Sequence, residues 1–142
     1  MDTIETILKR RSIRKFQDTP VEPEKVEQIL RAAMQSPTGH NAQEWEFLVV
    51  TDKDLILRIS QASPETVSAK NAPMLIIPLA NLENDKRVEN IWACDMGAVC
   101  QTILLAEEDL GLGGCWLSCW RPRAILTEYI FCVRTQSKEF LL

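Results

Sequence analysis

The sequence is poor in several features that mark special classes of protein. It contains one histidine, five glycines and seven prolines in 142 residues, and 46% of its residues are hydrophobic and 25% charged. This composition excludes collagen-like and disordered classes and is typical of a globular domain. No apolar run approaches the roughly 18 residues of a membrane span, so we predict no membrane segment. The single histidine, His40, has no partner at a spacing that would support a catalytic triad.

Length, cysteine content and the first residues predict one domain in a reducing compartment. The chain has the size of a single domain and shows no repeat or linker, so we assign residues 1–142 to one domain. The acidic start, Met1 to Glu5, has no apolar stretch, which predicts a cytoplasmic protein without a signal peptide. Five cysteines, without zinc-ribbon spacing, favour reduced thiols and no metal site.

Charge is concentrated in one short segment. The net charge is −4, yet residues 9–15 hold five of the sixteen basic side chains, so the rest of the chain carries −9. Arg10, Arg11 and Arg14 can present planar guanidinium groups to one phosphate, and Ser12 adds a hydroxyl, which suits an organic phosphate. Alternatively, the segment is a solvated surface that complements the end of a helix.

Hydrophobic periodicity and capping residues predict alternating helices and strands. The predicted elements are a short helix after Asp2, a helix from Pro23 to about Gln35, a strand at 45–50, a helix after Asp52, a strand at 74–80, a helix at 89–110 and a strand from Cys115. The helix at 89–110 is apolar on nearly all sides, which is typical of a central or interface helix.

Three local features could contribute to a site. The polar loop 36–43 offers free backbone N–H groups to a ligand, although it could be an ordinary connection. The glycines at 111–114 follow a helix and precede a strand, so a helix cap and a tight turn explain them better than a dinucleotide-binding loop does. Asp95 lies inside the apolar helix, where a carboxylate must find a partner or cap another group.

Taken in order, these motifs resemble the nitroreductase family of flavin-dependent oxidoreductases. The resemblance runs from about residue 3 to residue 120 and rests on four segments, 10–16, 32–47, 95–98 and 110–116. The sequence departs from the family at Glu44, where many members have proline. We also expect residues 121–142 to depart from the family pattern, by truncation or by a change of reading frame.

The resemblance implies an α+β fold, a three-layer α/β/α sandwich with a mixed sheet, that forms a homodimer and binds FMN at the subunit interface. It implies that the FMN phosphate and ribityl chain are held by Arg10, Arg11, Ser12 and Arg14. It implies that the isoalloxazine ring is lined, from the other subunit, by Ser36, Pro37, Thr38, Gly39, Asn41 and Gln43. Gly113 and Gly114 would approach the flavin from its far side.

The implied activity is transfer of hydride from NADH or NADPH, through FMN, to a nitroaromatic, a quinone or a similar small acceptor. We assign no catalytic side chain and no metal ligand, because the cofactor carries the electrons. One alternative is a shortened, catalytically weak protein of the same fold that only binds flavin or a partner. A nucleic-acid module built on residues 9–15 is disfavoured by the charge of −9 elsewhere and by the lack of neighbouring aromatic residues.

Overall fold

A computed structural model describes residues 2–83, 85–119 and 130–134. The helices are α1 (Thr3–Lys9), α2 (Pro23–Ala33), α3 (Lys53–Ser60) and α4 (Trp92–Asp109). The strands are β1 (Trp45–Val50), β2 (Leu75–Ala80), β3 (Leu117–Cys119) and β4 (Ile130–Arg134). Three 3-10 helices lie between them, at Gly39–Asn41, Pro64–Asn71 and Lys86–Val88. Apart from β4, the segment 121–142 predicted to depart from the family pattern lies outside the described residues.

Local capping chemistry marks the starts of α1 and α3 and the end of α4, as the sequence predicts. The Asp2 carboxylate accepts the backbone N–H of Ile4 at 2.9 Å, at the start of α1. Asp52 does the same for Leu55, at 2.7 Å, at the start of α3. After α4, Gly111 adopts φ +75°, a left-handed conformation that glycine adopts without a steric penalty.

The sheet has the strand order β1-β2-β4-β3, and all three strand pairings are antiparallel. β1 and β2 pair along their full lengths, from Trp45 opposite Ala80 to Val50 opposite Leu75. β4 pairs with β2 at Leu75 and Ile76. The resemblance implies a mixed sheet, yet in the described part of the chain the parallel contact is one isolated bridge, between Ser12 and Gly114.

Residues of β2 point alternately into two hydrophobic clusters, because successive side chains of a strand lie on opposite faces of a sheet. Ile76 packs with buried residues of α2 and α4 such as Ile29 and Met96. Leu75 and Ile77 pack instead with Ile56 of α3 and with residues after α4. Helices therefore cover both faces of the sheet.

α4 is central within the chain, as its apolar sequence predicts. Its side chains at Met96, Val99, Cys100 and Ile103 are fully buried. The large apolar side chains of α1, by contrast, are exposed at Ile4, Ile7 and Leu8. α1 therefore presents an apolar face to its surroundings.

The described residues bear on the predictions about cysteines, metal ligands and membrane segments. Cys94, Cys100 and Cys115 are free thiols, and no group of potential metal ligands occurs in the described part of the chain. None of the described helices is both long enough and apolar enough to cross a membrane.

Candidate functional site

The basic segment lies beside the glycine turn that follows α4. The backbone N–H of Ile13 donates to the carbonyl of Gly114 at 2.8 Å, and Ser12 and Gly114 form the parallel bridge. α1 leads into this segment and packs near the end of α4, where the Thr6 hydroxyl lies 3.5 Å from the Asp109 carboxylate. Two predicted site motifs a hundred residues apart in sequence are therefore adjacent.

Among the residues that the structure describes, no carboxylate pairs with the arginines of this segment. The Arg11 guanidinium donates to the carbonyls of Leu8 and Arg10 at 2.8 and 2.9 Å, which orients it and leaves further N–H donors free. Within the described ranges, Arg10, Arg11 and Arg14 form no ion pair with an acidic side chain, whereas Lys9 is paired with Glu5. Guanidinium groups without counter-charges have N–H donors to offer an anion, as the sequence predicts for this segment.

Gly113 allows the close approach of the basic segment. A Cβ atom at this position would lie 2.8 Å from Cγ1 and 3.2 Å from Cβ of Ile13, which is closer than van der Waals contact permits. The family resemblance implies that Gly113 approaches the flavin, where bulk is not tolerated. Within the chain, the atoms that exclude a larger residue belong to the side chain of Ile13, in the basic segment itself.

The loop 36–43 has an unusual backbone. His40, Asn41 and Gln43 adopt left-handed φ angles of 56°, 54° and 51°. Residues other than glycine rarely adopt this conformation, although asparagine and histidine tolerate it best. The Thr38 hydroxyl stabilises the turn by accepting the N–H of Gln43 at 3.1 Å.

The predicted ring-lining residues differ in exposure. Pro37, Asn41 and Gln43 are exposed, and Thr38 and Gly39 are half-buried. Ser36 is buried, and its hydroxyl donates to the Thr102 hydroxyl of α4 at 2.9 Å. Ser36 therefore anchors the loop to α4, and its predicted contact with the flavin ring stays a prediction.

A second anchor joins the loop to the first turn of α4. The backbone N–H of Gly39 donates to Oδ2 of Asp95 at 3.0 Å. This confirms that Asp95 caps another group, as its position in an apolar helix predicts. The side chain of Ile91 also packs against Gly39, where an added Cβ would lie 2.3 Å from its Cδ1.

Glu44, which ends this loop, is a buried acid that the sequence did not identify as part of the site. Its side chain is fully buried, and among the described residues neither carboxyl oxygen has a hydrogen-bond partner. Burial raises the pKa of Glu44, and the neighbouring carboxyl group of Asp95 raises the same pKa further. The available signal was the departure from the family resemblance at Glu44, stated in the sequence analysis.

The anchors place the two predicted halves of the site near opposite ends of α4. The loop contacts Asp95 in the first turn, whereas the basic segment lies beside the turn that follows Asp109. Fourteen residues of helix separate these positions, which corresponds to roughly 20 Å at 1.5 Å per residue. The structure therefore brings the basic segment together with Gly113–Gly114 at the end of α4. The loop 36–43 lies at the start of α4.

Fold and site together define an α+β domain in which an arginine-rich segment lies against a glycine turn. The sequence model of the nitroreductase family matches residues 7–95. A protein of Methanothermobacter thermautotrophicus, named provisionally as an NADH dehydrogenase/NAD(P)H nitroreductase, is 38% identical over 116 residues, which cover 82% of this chain and 60% of that protein. The chain belongs to the nitroreductase family.

Solved structures are similar along nearly the whole chain. A Parabacteroides distasonis protein with the same provisional name superposes with a TM-score of 0.88 at 28% identity, covering 99% of this chain and 89% of that one. An FMN-dependent nitroreductase of Clostridium difficile gives a TM-score of 0.83 at 30% identity, covering 98% of this chain and 89% of that one. The fold is therefore the α+β fold of this family.

Proposed function

We propose that this protein is an FMN-dependent oxidoreductase that transfers hydride from NADH or NADPH to a small acceptor such as a nitroaromatic or a quinone. The observation that carries the proposal is the contact between Ile13 and Gly114, because it sets three arginines beside a glycine turn. The names of two relatives, an NAD(P)H nitroreductase and an FMN-dependent nitroreductase, support the choice of reductant and cofactor.

The donor set of the basic segment fits the phosphate of FMN. Arg10, Arg11 and Arg14 supply planar N–H donors, and Ser12 supplies an exposed hydroxyl. A phosphate monoester carries nearly two negative charges at neutral pH and accepts several hydrogen bonds. The rest of the chain carries a net negative charge, so the densest cluster of basic residues in the sequence lies in this segment.

The loop 36–43 fits the flavin ring. Asn41 and Gln43 are exposed and carry amide groups that both donate and accept hydrogen bonds. The edge of an isoalloxazine ring presents carbonyl oxygens and a ring N–H, so it needs both kinds of group. The left-handed backbone at these two residues holds their amides in one local turn.

A homodimer would unite the two halves of the site. In one chain the loop and the basic segment lie near opposite ends of α4, so a loop from a second subunit could complete the site beside the arginines. The exposed apolar residues Ile4, Ile7 and Leu8 of α1 offer a surface for such an interface. The clusters on both faces of the sheet support the three-layer α/β/α arrangement.

FMN, when bound, supplies the redox chemistry by accepting hydride from the nicotinamide and passing it on. The residues of this chain bind and orient the cofactor. The arginines hold the phosphate end, Gly113 keeps the approach free of bulk, and the amides of the loop hold the ring edge. No side chain is required to act as a general acid or base.

The visible absorbance spectrum of the purified protein tests the proposal. We expect a yellow protein, or a colourless one that becomes yellow with added FMN. Under anaerobic conditions, NADH or NADPH should bleach the flavin absorbance, and a quinone should restore it. Protein that does not bind FMN would refute the proposal. Flavin binding without reduction by either nucleotide would favour the alternative, a flavin-binding protein without turnover.

A further inference from the structure

Two hydrogen bonds attach the loop 36–43 to one face of α4. Ser36 bonds to Thr102 at 2.9 Å, and Gly39 bonds to Asp95 at 3.0 Å. Asp95 and Thr102 are seven residues apart in α4, which is close to two full helical turns, so both side chains lie on the same side of the helix. The chain from Ser36 to Gly39 therefore runs antiparallel to α4 across these two turns.

The spacing of the two anchors matches the reach of the segment between them. Seven residues of helix rise roughly 10 Å at 1.5 Å per residue, and three residues of fully extended chain span roughly 10 Å. Thr38 has the extended backbone angles φ −130° and ψ 150°, and Ser36 precedes a proline, which favours an extended backbone. The segment 36–39 is therefore close to its full length, so that release of one end gives the other end room to move.

The contact between Ser36 and Thr102 has a defined donor. The Thr102 hydroxyl donates its one proton to the carbonyl of Ala98 at 2.9 Å, because a carbonyl oxygen can only accept. Ser36, which is buried, must therefore be the donor to Thr102. Its hydroxyl proton is committed to α4, and Ser36 can offer a ligand only its acceptor lone pairs.

The other end of the segment lies close against the start of α4. The N–H of Gly39 donates to Oδ2 of Asp95, and a Cβ atom added at Gly39 would collide with Cδ1 of Ile91, the residue directly before α4. Glycine thus allows the backbone to reach the Asp95 carboxylate.

We propose that Asp95 and Thr102 act together as positioning residues for the proposed flavin site. By holding both ends of the segment 36–39, they fix the place of the turn that follows it on α4. The inference rests on the proposed function, because this turn carries the amides of Asn41 and Gln43 that are proposed to bind the ring edge. Asp95 and Thr102 act through the loop and need not touch the flavin.

Amide hydrogen exchange of Gly39 in the protein without flavin tests whether the two anchors act together. Thr102→Val removes a hydroxyl with little change of shape and leaves Asp95 in place. If the segment is held at both ends, exchange at Gly39 should accelerate about two- to tenfold, the usual contribution of one neutral hydrogen bond. Thr102→Ser keeps the hydroxyl and should retain the wild-type rate. Unchanged exchange in Thr102→Val would show that the anchors are independent and would overturn the proposal.

Two further variants sharpen this measurement. Ser36→Ala removes the same hydrogen bond from the loop and should accelerate Gly39 exchange equally, so it decides the question if Thr102→Val does not fold. Combining the two substitutions should add nothing to either, because they remove one and the same bond. Thr51→Val is the matched control, at an exposed position directly after β1, and should exchange as the wild type does. Equal acceleration in this control would also overturn the proposal.

The effect on the cofactor is measured with FMN and with riboflavin, which has the same ring and no phosphate. Asp95→Ala and Thr102→Val should raise Kd for both flavins by the same factor, about two- to tenfold. Asp95→Asn retains an acceptor for the N–H of Gly39 and should bind both flavins as the wild type does. Arg10→Ala, which alters the proposed phosphate site instead, should raise Kd for FMN alone.

The outcomes separate this proposal from the proposed function. If neither flavin binds to the wild type, the proposed function fails, while Gly39 exchange still decides whether the two anchors act together. If FMN binds and the anchor variants leave Kd unchanged, or raise it for FMN alone, the anchors do not position the loop for the ring and the proposal is overturned.

Discussion

Ile13 and Gly113 are in such close contact that no larger residue fits at position 113. An added Cβ would lie 2.8 Å from Cγ1 of Ile13. We expect Gly113→Ala to lower the free energy of unfolding by about 1–3 kcal/mol, the usual cost of overpacking. It should also weaken FMN binding, because relief of the contact moves the basic segment. Urea unfolding and flavin titration measure the two effects.

Gly97→Ala serves as the control for this substitution. Gly97 lies within α4, and the nearest atom to an added Cβ is in Trp116 at 3.7 Å, an ordinary contact. Alanine should stabilise the helix here by about 0.5–1 kcal/mol. In the double variant with Ile13→Ala, the cost of Gly113→Ala should shrink, because Cγ1 is gone. Equal effects at positions 97 and 113 would contradict the packing argument.

The arginines of the basic segment should contribute to affinity and little to stability. Arg10→Ala and Arg14→Ala each remove a guanidinium group that forms no ion pair within the described chain. A charge-assisted hydrogen bond contributes about 1.5–3 kcal/mol, so Kd for FMN should rise about ten- to hundredfold. Flavin fluorescence titration gives Kd, and unfolding curves should superimpose on the wild type.

Arg31→Ala is a matched control for charge, since Arg31 on α2 is exposed and pairs with Glu27 at 2.8 Å. It should leave FMN affinity unchanged. Sedimentation should show that the Arg10 and Arg14 variants retain the oligomeric state of the wild type. If Arg31→Ala weakens binding as much as they do, the effect reflects overall charge and the basic segment is not the phosphate site.

Glu107 should make stability fall as pH rises. This side chain of α4 is fully buried without a hydrogen-bond partner among the described residues. Burial, with a smaller contribution from Cys115, raises the pKa of Glu107 well above its ordinary value of 4.5. The folded state thus holds a proton that the unfolded chain releases. The free energy of unfolding is therefore unaffected by Glu107 below pH 4.5 and falls progressively as pH rises above that value.

Glu107→Gln removes this proton and keeps the size of the side chain. The variant should therefore gain stability relative to the wild type as pH rises from 5 toward 8, as measured by urea unfolding at each pH. Glu89→Gln, at an exposed position, should follow the wild type. Parallel stability curves for Glu107→Gln and the wild type would show that Glu107 does not titrate differently in the two states.

The exposed face of α1 should be part of the dimer interface. Leu8 is 67% exposed although it is a large apolar residue, and Ile4 and Ile7 accompany it on the same helix. Leu8→Glu should shift the sedimentation coefficient toward that of a monomer, because a charge would be buried without a partner. Val67→Glu, at a position 59% exposed in the 3-10 helix Pro64–Asn71, should leave association unchanged. A wild type that is monomeric at all concentrations would refute the dimer.

Much of the local structure could be predicted from the sequence. Asp2, Pro23 and Asp52 mark helix starts because each satisfies or avoids an unpaired N–H group. The strand 45–50 is enriched in residues that favour strands, and its predicted bounds agree with β1. The order of the motifs was sufficient to identify the family, although no single motif was.

Positions that depend on distant segments could not be predicted in the same way. The order β1-β2-β4-β3 inserts the last described strand between two earlier ones, and no local signal specifies such a pairing. The anchoring of Ser36 by Thr102 joins residues 66 apart. A sequence pattern that identifies a helix face does not say which loop will pack on that face.

By itself, the sequence determined the starts of α1, α2 and α3, the arginine-rich segment and the glycine turn, because caps, charge clusters and left-handed turns are properties of neighbouring residues. The start of α4, predicted at residue 89, lies at Trp92. Only the tertiary structure decided that the basic segment lies against Gly114 and that the loop 36–43 is attached to the first turn of α4. It also decided that Glu44 and Glu107 are buried, without hydrogen-bond partners among the described residues. The physical reason is that proximity and desolvation of a side chain arise from the packing of residues distant in sequence.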